Sequence, residues 1–266
     1  MKKLITLLLS FTCALNLFAC GKNDENTIVV AASPSPHAQI LEQCISILKE
    51  QGFTLEIKEF NDYINPNVAT EDGVCLANYF QHKPYLNEYN ESYNTNLVSV
   101  CAVHFEPLGI YAGKSNSLQN LKSGAKIAIP IDTTNEARAL LLLQQEGLIT
   151  LKAGVGLTAT VKDIVENPKG LNIIEMDASL IATVRDDCDL VVLNGNFALG
   201  AGLKVSESLA CESAGGEAAL TYANLLVVKK GNENHPAVVA LKNALLSSQI
   251  RDYIEKSFSG AVLPVF

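Results

Sequence analysis

Along this chain, short apolar runs rich in β-branched residues alternate with segments whose apolar positions recur at helical spacing. That switching of period marks an α/β architecture with largely parallel sheets, since each intervening helix carries the chain back to begin the next strand in the same direction. The pattern predicts strands at 27–31, 54–60, 97–104, 126–130, 171–176, 189–193 and 224–228. The first helix is expected to take Ser35 as N-cap and Pro36 at its first position. It then runs through Ile40, Leu41, Cys44, Ile47 and Leu48 to a stop at Gly52. Further helices are expected at 135–146 and as a pair between Pro236 and Phe258.

At 266 residues the chain suits one large domain or two modest ones. No repeat or low-complexity block marks a boundary, so hinges are placed at Pro107-Leu108-Gly109 and at Gly215-Gly216 through Tyr222. If the C-terminal helices return to the N-terminal part, the middle third becomes a second lobe joined by two crossings. The expected division is 27–108 plus 225–266 for one lobe and 109–224 for the other. This is the layout of a type II-like, two-lobed periplasmic-binding-protein fold with its ligand cleft between the lobes.

Met1-Lys2-Lys3 and the apolar stretch 4–19, which holds no acid, read as a secretory signal peptide. Sixteen residues fall short of the roughly 20 needed for a membrane-spanning helix. The junction Leu17-Phe18-Ala19-Cys20 resembles the bacterial lipobox, in which the cysteine is diacylated and becomes the new N-terminus. Residues 20–26 then form a polar lipidated tether, and the mature chain of 247 residues carries a net charge of −10, the −8 of the full chain less Lys2 and Lys3. Such a lipid anchors a soluble domain to a membrane on its extracytoplasmic side. An ordinary signal-peptide cysteine in a secreted protein is the alternative.

The acidic balance, with Arg138, Arg185 and Arg251 the only arginines, excludes a nucleic-acid partner. Beyond Cys13 and Cys20, five cysteines remain: Cys44, Cys75, Cys101, Cys188 and Cys211. None sits at C-x-x-C or zinc-ligand spacing, so buried free thiols are expected, with a disulfide still open in an oxidising compartment. A lone His82 is too little for a metal site.

Two stretches can carry recognition. In Ala77 to Leu86, rings and one histidine crowd a region that reads as a loop at a strand end because of Pro84 and Asn78, and eight of the 17 aromatics fall between Phe60 and Phe105. Rings there suit an apolar or sulfur-containing ligand, or else form a packed aromatic core. The second is 130–138, leaving a strand to enter a helix, where Thr133 and Glu136 are spaced as a capping box. Arg138 in the first turns opposes the helix dipole, which an anion held by its fork and the helix N-terminus would offset. A solvated arginine is the alternative. Asn194 and Asn224, at strand ends, are either turn formers or amides that orient an amino acid. Gly154-Val155-Gly156-Leu157-Thr158-Ala159, with Glu175 some twenty residues on, matches a dinucleotide fingerprint, but too little chain precedes it for the required strand. No catalytic set stands out.

With these residues in view, nearly the whole mature chain resembles the methionine-binding lipoproteins that feed ABC importers, the NlpA/MetQ type. Phe60-Asn61-Asp62-Tyr63, Phe80-Gln81-His82-Lys83-Pro84-Tyr85-Leu86, Leu140-Leu141-Leu142-Leu143-Gln144 and Val165-Glu166-Asn167-Pro168-Lys169 carry the resemblance. It implies that Tyr63, Phe80, His82 and Tyr85 wall a pocket for the methionine side chain. Arg138 would bind the carboxylate, with Asn135, Asn194 and Asn224 fixing the polar end. It also implies no catalysed reaction and no cofactor. The implied partners are methionine, the permease and ATPase of an ABC transporter, and the membrane through a lipid on Cys20. Gly154–Ala159 becomes a structural turn. Glu106 stands where several relatives carry an aromatic residue, and Asn194-Gly195-Asn196-Phe197 replaces a threonine-containing version, both differences that bear on the cleft lining. Relatives vary among L-methionine, its D form and a methionine dipeptide. L-methionine is therefore the expected ligand, those two or another small amino acid are alternatives, and a surface-interaction lipoprotein is the competing class.

Overall fold

Each of the seven predicted runs is a strand in the computed structural model, within two residues of its expected ends. The structure describes residues 26–213, 215 and 217–266, without the side chains of 217 and 218. The expected signal peptide, Cys13 and the expected lipidation site at Cys20 therefore lie outside the described residues.

In chain order the first part comprises β1 (Thr27–Ala32), α1 (Gln39–Glu50), β2 (Thr54–Glu59), α2 (Asn65–Glu71), β3 (Ala77–His82), α3 (Lys83–Tyr93) and β4 (Leu97–Phe105). The middle part comprises β5 (Gly109–Ala112), β6 (Lys126–Pro130), α4 (Thr133–Gln145), β7 (Thr150–Leu151), β8 (Ile164–Glu166), β9 (Asn172–Met176), α5 (Ala178–Ile181), β10 (Leu190–Leu193), α6 (Gly195–Gly200), β11 (Ala210–Cys211) and α7 (Glu217–Thr221). The chain ends with β12 (Asn224–Lys229), α8 (Pro236–Leu245), α9 (Ser248–Phe258) and β13 (Leu263–Pro264).

These strands form two main sheets, in the orders β13-β4-β12-β3-β1-β2 and β11-β5-β10-β6-β9. The two share a construction. Parallel neighbours, β2-β1-β3 in one and β9-β6-β10 in the other, are followed by one antiparallel strand that arrives directly from a crossing. That strand is β12 in the first sheet and β5 in the second. The fold is two-lobed, with a core on each side. Ile28, Val30, Leu41 and Leu241 are fully buried in the first, and Ile110, Ile127, Leu140 and Val192 in the second.

Four expectations are corrected. The stretch from Ala77 to His82 is no loop but a central strand, buried on both faces between β1 and β12. Its polar side chains misled the period count because they are satisfied internally. Asn78 donates to Asn67 (3.0 Å) and Thr70 (2.9 Å), and Gln81 donates to Asn78 (2.8 Å). A fully hydrogen-bonded amide removes most of the desolvation cost that keeps polar residues out of cores. Pro84 opens α3 instead of marking a loop, since a proline near a helix start forfeits no helical hydrogen bond.

The first helix also begins differently. A single wide turn over Pro34–Ala38 precedes α1, and Ser35, though extended as an N-cap should be, caps no backbone N–H and donates to the Gln39 side chain. At α4 the N-cap is Asp132 and not Thr133, and Glu136 turns away to accept from the Val161 N–H at 2.8 Å. As expected, 154–159 forms a structural turn, with Gly154 and Gly156 at positive φ, and it lies between the two strands of the antiparallel β7–β8 pair, where no βαβ unit forms. The five cysteines from Cys44 to Cys211 are free thiols, three buried and two partly so. Among the described residues no helix is long and apolar enough to cross a membrane.

Leu241, fully buried on α8 in the first core, tests this packing. Leu241→Ala removes about three methylene equivalents and leaves a cavity, so urea denaturation should show a loss of about 2–5 kcal/mol.

Candidate binding cleft

Four segments of the first sheet's half, at Tyr63, 80–85, Glu106 and Asn224, and two of the second's, at 135–138 and 194–196, meet around one cavity of about 340 Å³, its solvent mouth included. The structure brings all eight candidate residues, Tyr63, Phe80, His82, Tyr85, Asn135, Arg138, Asn194 and Asn224, to its wall, and adds four others, Gln81, Glu106, Gly195 and Asn196.

One side is aromatic. Phe80 sits on β3 and Tyr85 in the first turn of α3, their ring centres 6.1 Å apart, and Tyr63 lies 5.9 and 5.8 Å from the two. Tyr85 donates its hydroxyl hydrogen to the Tyr63 carbonyl (2.9 Å), which fixes the loop before α2 against α3. Tyr63 in turn donates to the Asn196 side chain (2.6 Å), a contact from the first half to α6.

The other side is polar and is organised by Arg138. Its Nε donates to Glu212 Oε1 at 2.9 Å and its Nη2 to Glu212 Oε2 at 2.5 Å, a two-pronged pair in which the arginine side chain is only 4% exposed. Nη2 also reaches the Glu106 carbonyl (3.3 Å), Nη1 the Asn135 side chain (3.3 Å), and the guanidinium lies 4.2 Å over the Tyr222 ring. Glu212, with no motif around it in a Ser- and Gly-containing loop, gave no sequence signal for this role.

Asn135 is the hub of the amides. Its Oδ1 accepts from Asn194 (2.9 Å), His82 Nε2 (3.1 Å) and Arg138, while its Nδ2 and backbone N–H both donate to Asp132 Oδ1, at 2.7 and 3.1 Å. The cap therefore consumes the helix N–H that was expected to face an anion. A ligand carboxylate here has side-chain donors to meet, not the end of α4.

His82 is held neutral. Its Nδ1 accepts from the Tyr85 backbone N–H (3.2 Å), leaving Nε2 as the donor to Asn135. Burial, and then the Arg138 charge, push its pKa down to about 3. Two more buried histidines stand behind the cleft. His37 donates from Nε2 to Asn224 (2.9 Å), and burial lowers its pKa to about 4. His104 accepts from the Tyr79 hydroxyl and donates to Glu106 Oε1 (2.7 Å), with burial lowering its pKa to about 3.

The family whose model is described as NlpA lipoprotein matches residues 28–266. The methionine-binding lipoprotein MetQ of Bacillus subtilis is 40% identical over all of this chain and 99% of its own. A nutrient binding protein from Burkholderia cenocepacia, solved bound to methionine, superposes with a TM-score of 0.85 at 39% identity, covering 90% of this chain and all of that one. A periplasmic substrate-binding protein of an ABC transporter from Coxiella burnetii superposes at 0.83 with 38% identity, over 89% of this chain and 99% of its own.

The three neutral histidines predict how stability depends on pH. Each has a native pKa below its ordinary 6.5, so on acidification the unfolded chain takes up these protons first and stability is lost as the pH falls below about 6.5. Glu106, raised to about 7 by burial, opposes this, as do Asp132 and Glu136, which burial raises by less, but the three histidines together are displaced further. The calorimetric melting temperature should therefore drop between pH 6.5 and 5, and a flat or rising profile would contradict neutral burial of the histidines.

Proposed function

We propose that this chain, which belongs to the NlpA lipoprotein family, is the substrate-binding lipoprotein of an ABC importer and takes free methionine, in the L form, into the cleft between its lobes. It is a binding protein and not an enzyme. The observation that carries the reading is the cavity's division into an aromatic side and a side built on a buried arginine and four asparagines, which matches a thioether at one end and an amino acid's charged groups at the other.

Tyr63, Phe80, His82 and Tyr85 take the side chain, each ring–thioether contact contributing roughly 0.3–1.5 kcal/mol. Arg138 takes the carboxylate through the guanidinium edge that Glu212 leaves free, and Asn135, Asn194 and Asn224 orient the polar end. The lobes are 27–108 with 225–266, and 109–224. Closing them gathers side chains from both around the ligand, and release follows when the transporter stabilises the open form. The neutral state of His82 supports its place beside an apolar group, since a charged imidazolium would have to be desolvated there.

The partners under this reading are the permease and ATPase of the transporter, and the membrane, reached through a lipid on Cys20 after removal of residues 1–19. The domain then works on the extracytoplasmic face.

Native mass spectrometry of the protein, unfolded, refolded and titrated with L-methionine, D-methionine and a methionine dipeptide, tests the ligand. One bound L-methionine is expected; an empty cleft would overturn the substrate and favour a surface-interaction role. Arg138→Ala should weaken binding by roughly two to four decades, the scale of 2–5 kcal/mol seen when a buried charge loses its partner. Arg138→Lys, which keeps the charge but not the fork, should fall between the two. Calorimetric titration of Phe80→Ala should show methionine weakened by about tenfold or more and alanine much less, and equal losses would remove Phe80 from the side-chain pocket.

A further inference from the structure

Glu106 ends the first crossing's approach, just before Pro107, and is 6% exposed. Among the described residues that line the cavity it is the only carboxylate. Its surroundings are built around it. Oε1 accepts from His104 at 2.7 Å and lies 3.4 Å from His37 Nε2, and the Asn196 backbone N–H donates to the carboxylate from α6. Gly195 gives it room: a Cβ there would stand 2.6 Å from the Glu106 Cβ and 2.7 Å from Oε2.

A second observation points to a missing donor. Asn194, adjacent to that glycine and on the cavity wall, spends its amide N–H on Asn135, while its buried Oδ1 has no hydrogen-bond partner. Buried acceptors are paired in native proteins, by protein, water or ligand, and each exception calls for an explanation. An acceptor and a carboxylate on one wall, beside an arginine whose charge Glu212 already matches, suit a group that carries positive charge and several N–H bonds.

We propose that Glu106, seated by His37 and His104 and flanked by the Asn194 carbonyl oxygen, is the counter-ion of the ligand's α-ammonium and thereby restricts the cleft to ligands with a free α-amino group. This rests on the amino-acid reading above and goes beyond it by separating a free amino acid from a dipeptide in which methionine's nitrogen is an uncharged amide. Burial raises the pKa of Glu106 to about 7, with His37 and Arg138 pulling it back down, so a cation arriving at the carboxylate favours its ionised form. His37, His104 and Glu106 also lie close enough to suggest a cation site. The 2.7 Å between His104 and Glu106 is a hydrogen bond, however, and is shorter than the roughly 3.3 Å between neighbouring ligands of a tetrahedral ion with bonds of about 2.0–2.1 Å.

The test compares L-methionine with 4-(methylsulfanyl)butanoate, which keeps the thioether and carboxylate but lacks the amine, by calorimetric titration of the wild-type protein and Glu106→Gln. Glutamine preserves shape and the hydrogen bond from His104, and circular dichroism verifies the fold. The wild type should prefer methionine by about a hundredfold or more. In Glu106→Gln methionine should lose about that factor while the analogue stays within about threefold, so the preference collapses. Equal weakening of both compounds would reduce Glu106 to a structural contact and overturn the proposal, as would a preference that appears only when zinc is added after chelation. A wild type that binds neither compound would overturn the methionine reading itself, an outcome distinct from retained methionine binding with unchanged preference in the variant.

Discussion

A charged arginine side chain only 4% exposed is the constraint around which the cleft is arranged. Charge cannot be removed from water unless partners replace the solvent, and breaking such a pair on one side costs several kcal/mol. Arg138 meets that demand with Glu212, the Glu106 carbonyl, Asn135 and the face of Tyr222. Three of these partners, Glu106, Glu212 and Tyr222, belong to the segments that cross between the sheets. Glu212 also accepts from the Leu108 N–H at 2.9 Å, while its own N–H donates to the Leu108 carbonyl at 3.0 Å. The charge on α4 is thus tied to both crossings at once, so the residue proposed to hold a ligand carboxylate is fixed against both connecting segments.

The same charge sets the protonation of its neighbours. His82 stays neutral because burial and Arg138 act in the same direction, and neutrality fixes which ring nitrogen donates to Asn135. Asn135 can then accept three hydrogen bonds on one oxygen while its donors are held by Asp132. Behind the opposite wall, His37 and His104 perform a comparable service for Asn224 and Glu106. The polar half of the cavity is therefore a set of preoriented amides and two opposed charges, with little freedom left to lose when a ligand binds.

Neither feature depends on the helix end that first drew attention to this region. Asp132 closes α4, so the cavity wall is built from side chains drawn from six separate segments. That arrangement needs close approach of the two halves, which Gly195 permits against Glu106 and which the Tyr63–Asn196 hydrogen bond secures from the aromatic side.

The order of strands and helices was legible because period and turn chemistry are local. The runs at 126–130 and 224–228, the stop at Gly52 and the paired C-terminal helices all follow from residues within a turn of one another. The candidate residues were legible too, through a family resemblance carried by short segments such as Phe80 to Leu86 and through the placement of Arg138 in a helix's first turns. What stayed hidden depends on distance along the chain. The strand at Ala77–His82 looked too polar for a sheet interior until Asn67 and Thr70 supplied its partners, and Glu212 acquires meaning only by reaching Arg138, 74 residues away. Local sequence determined which elements form and which chemistry is available. Only the tertiary structure decided which charges face each other, because the cost of burying a charge is settled by whatever the fold brings within about 3 Å of it.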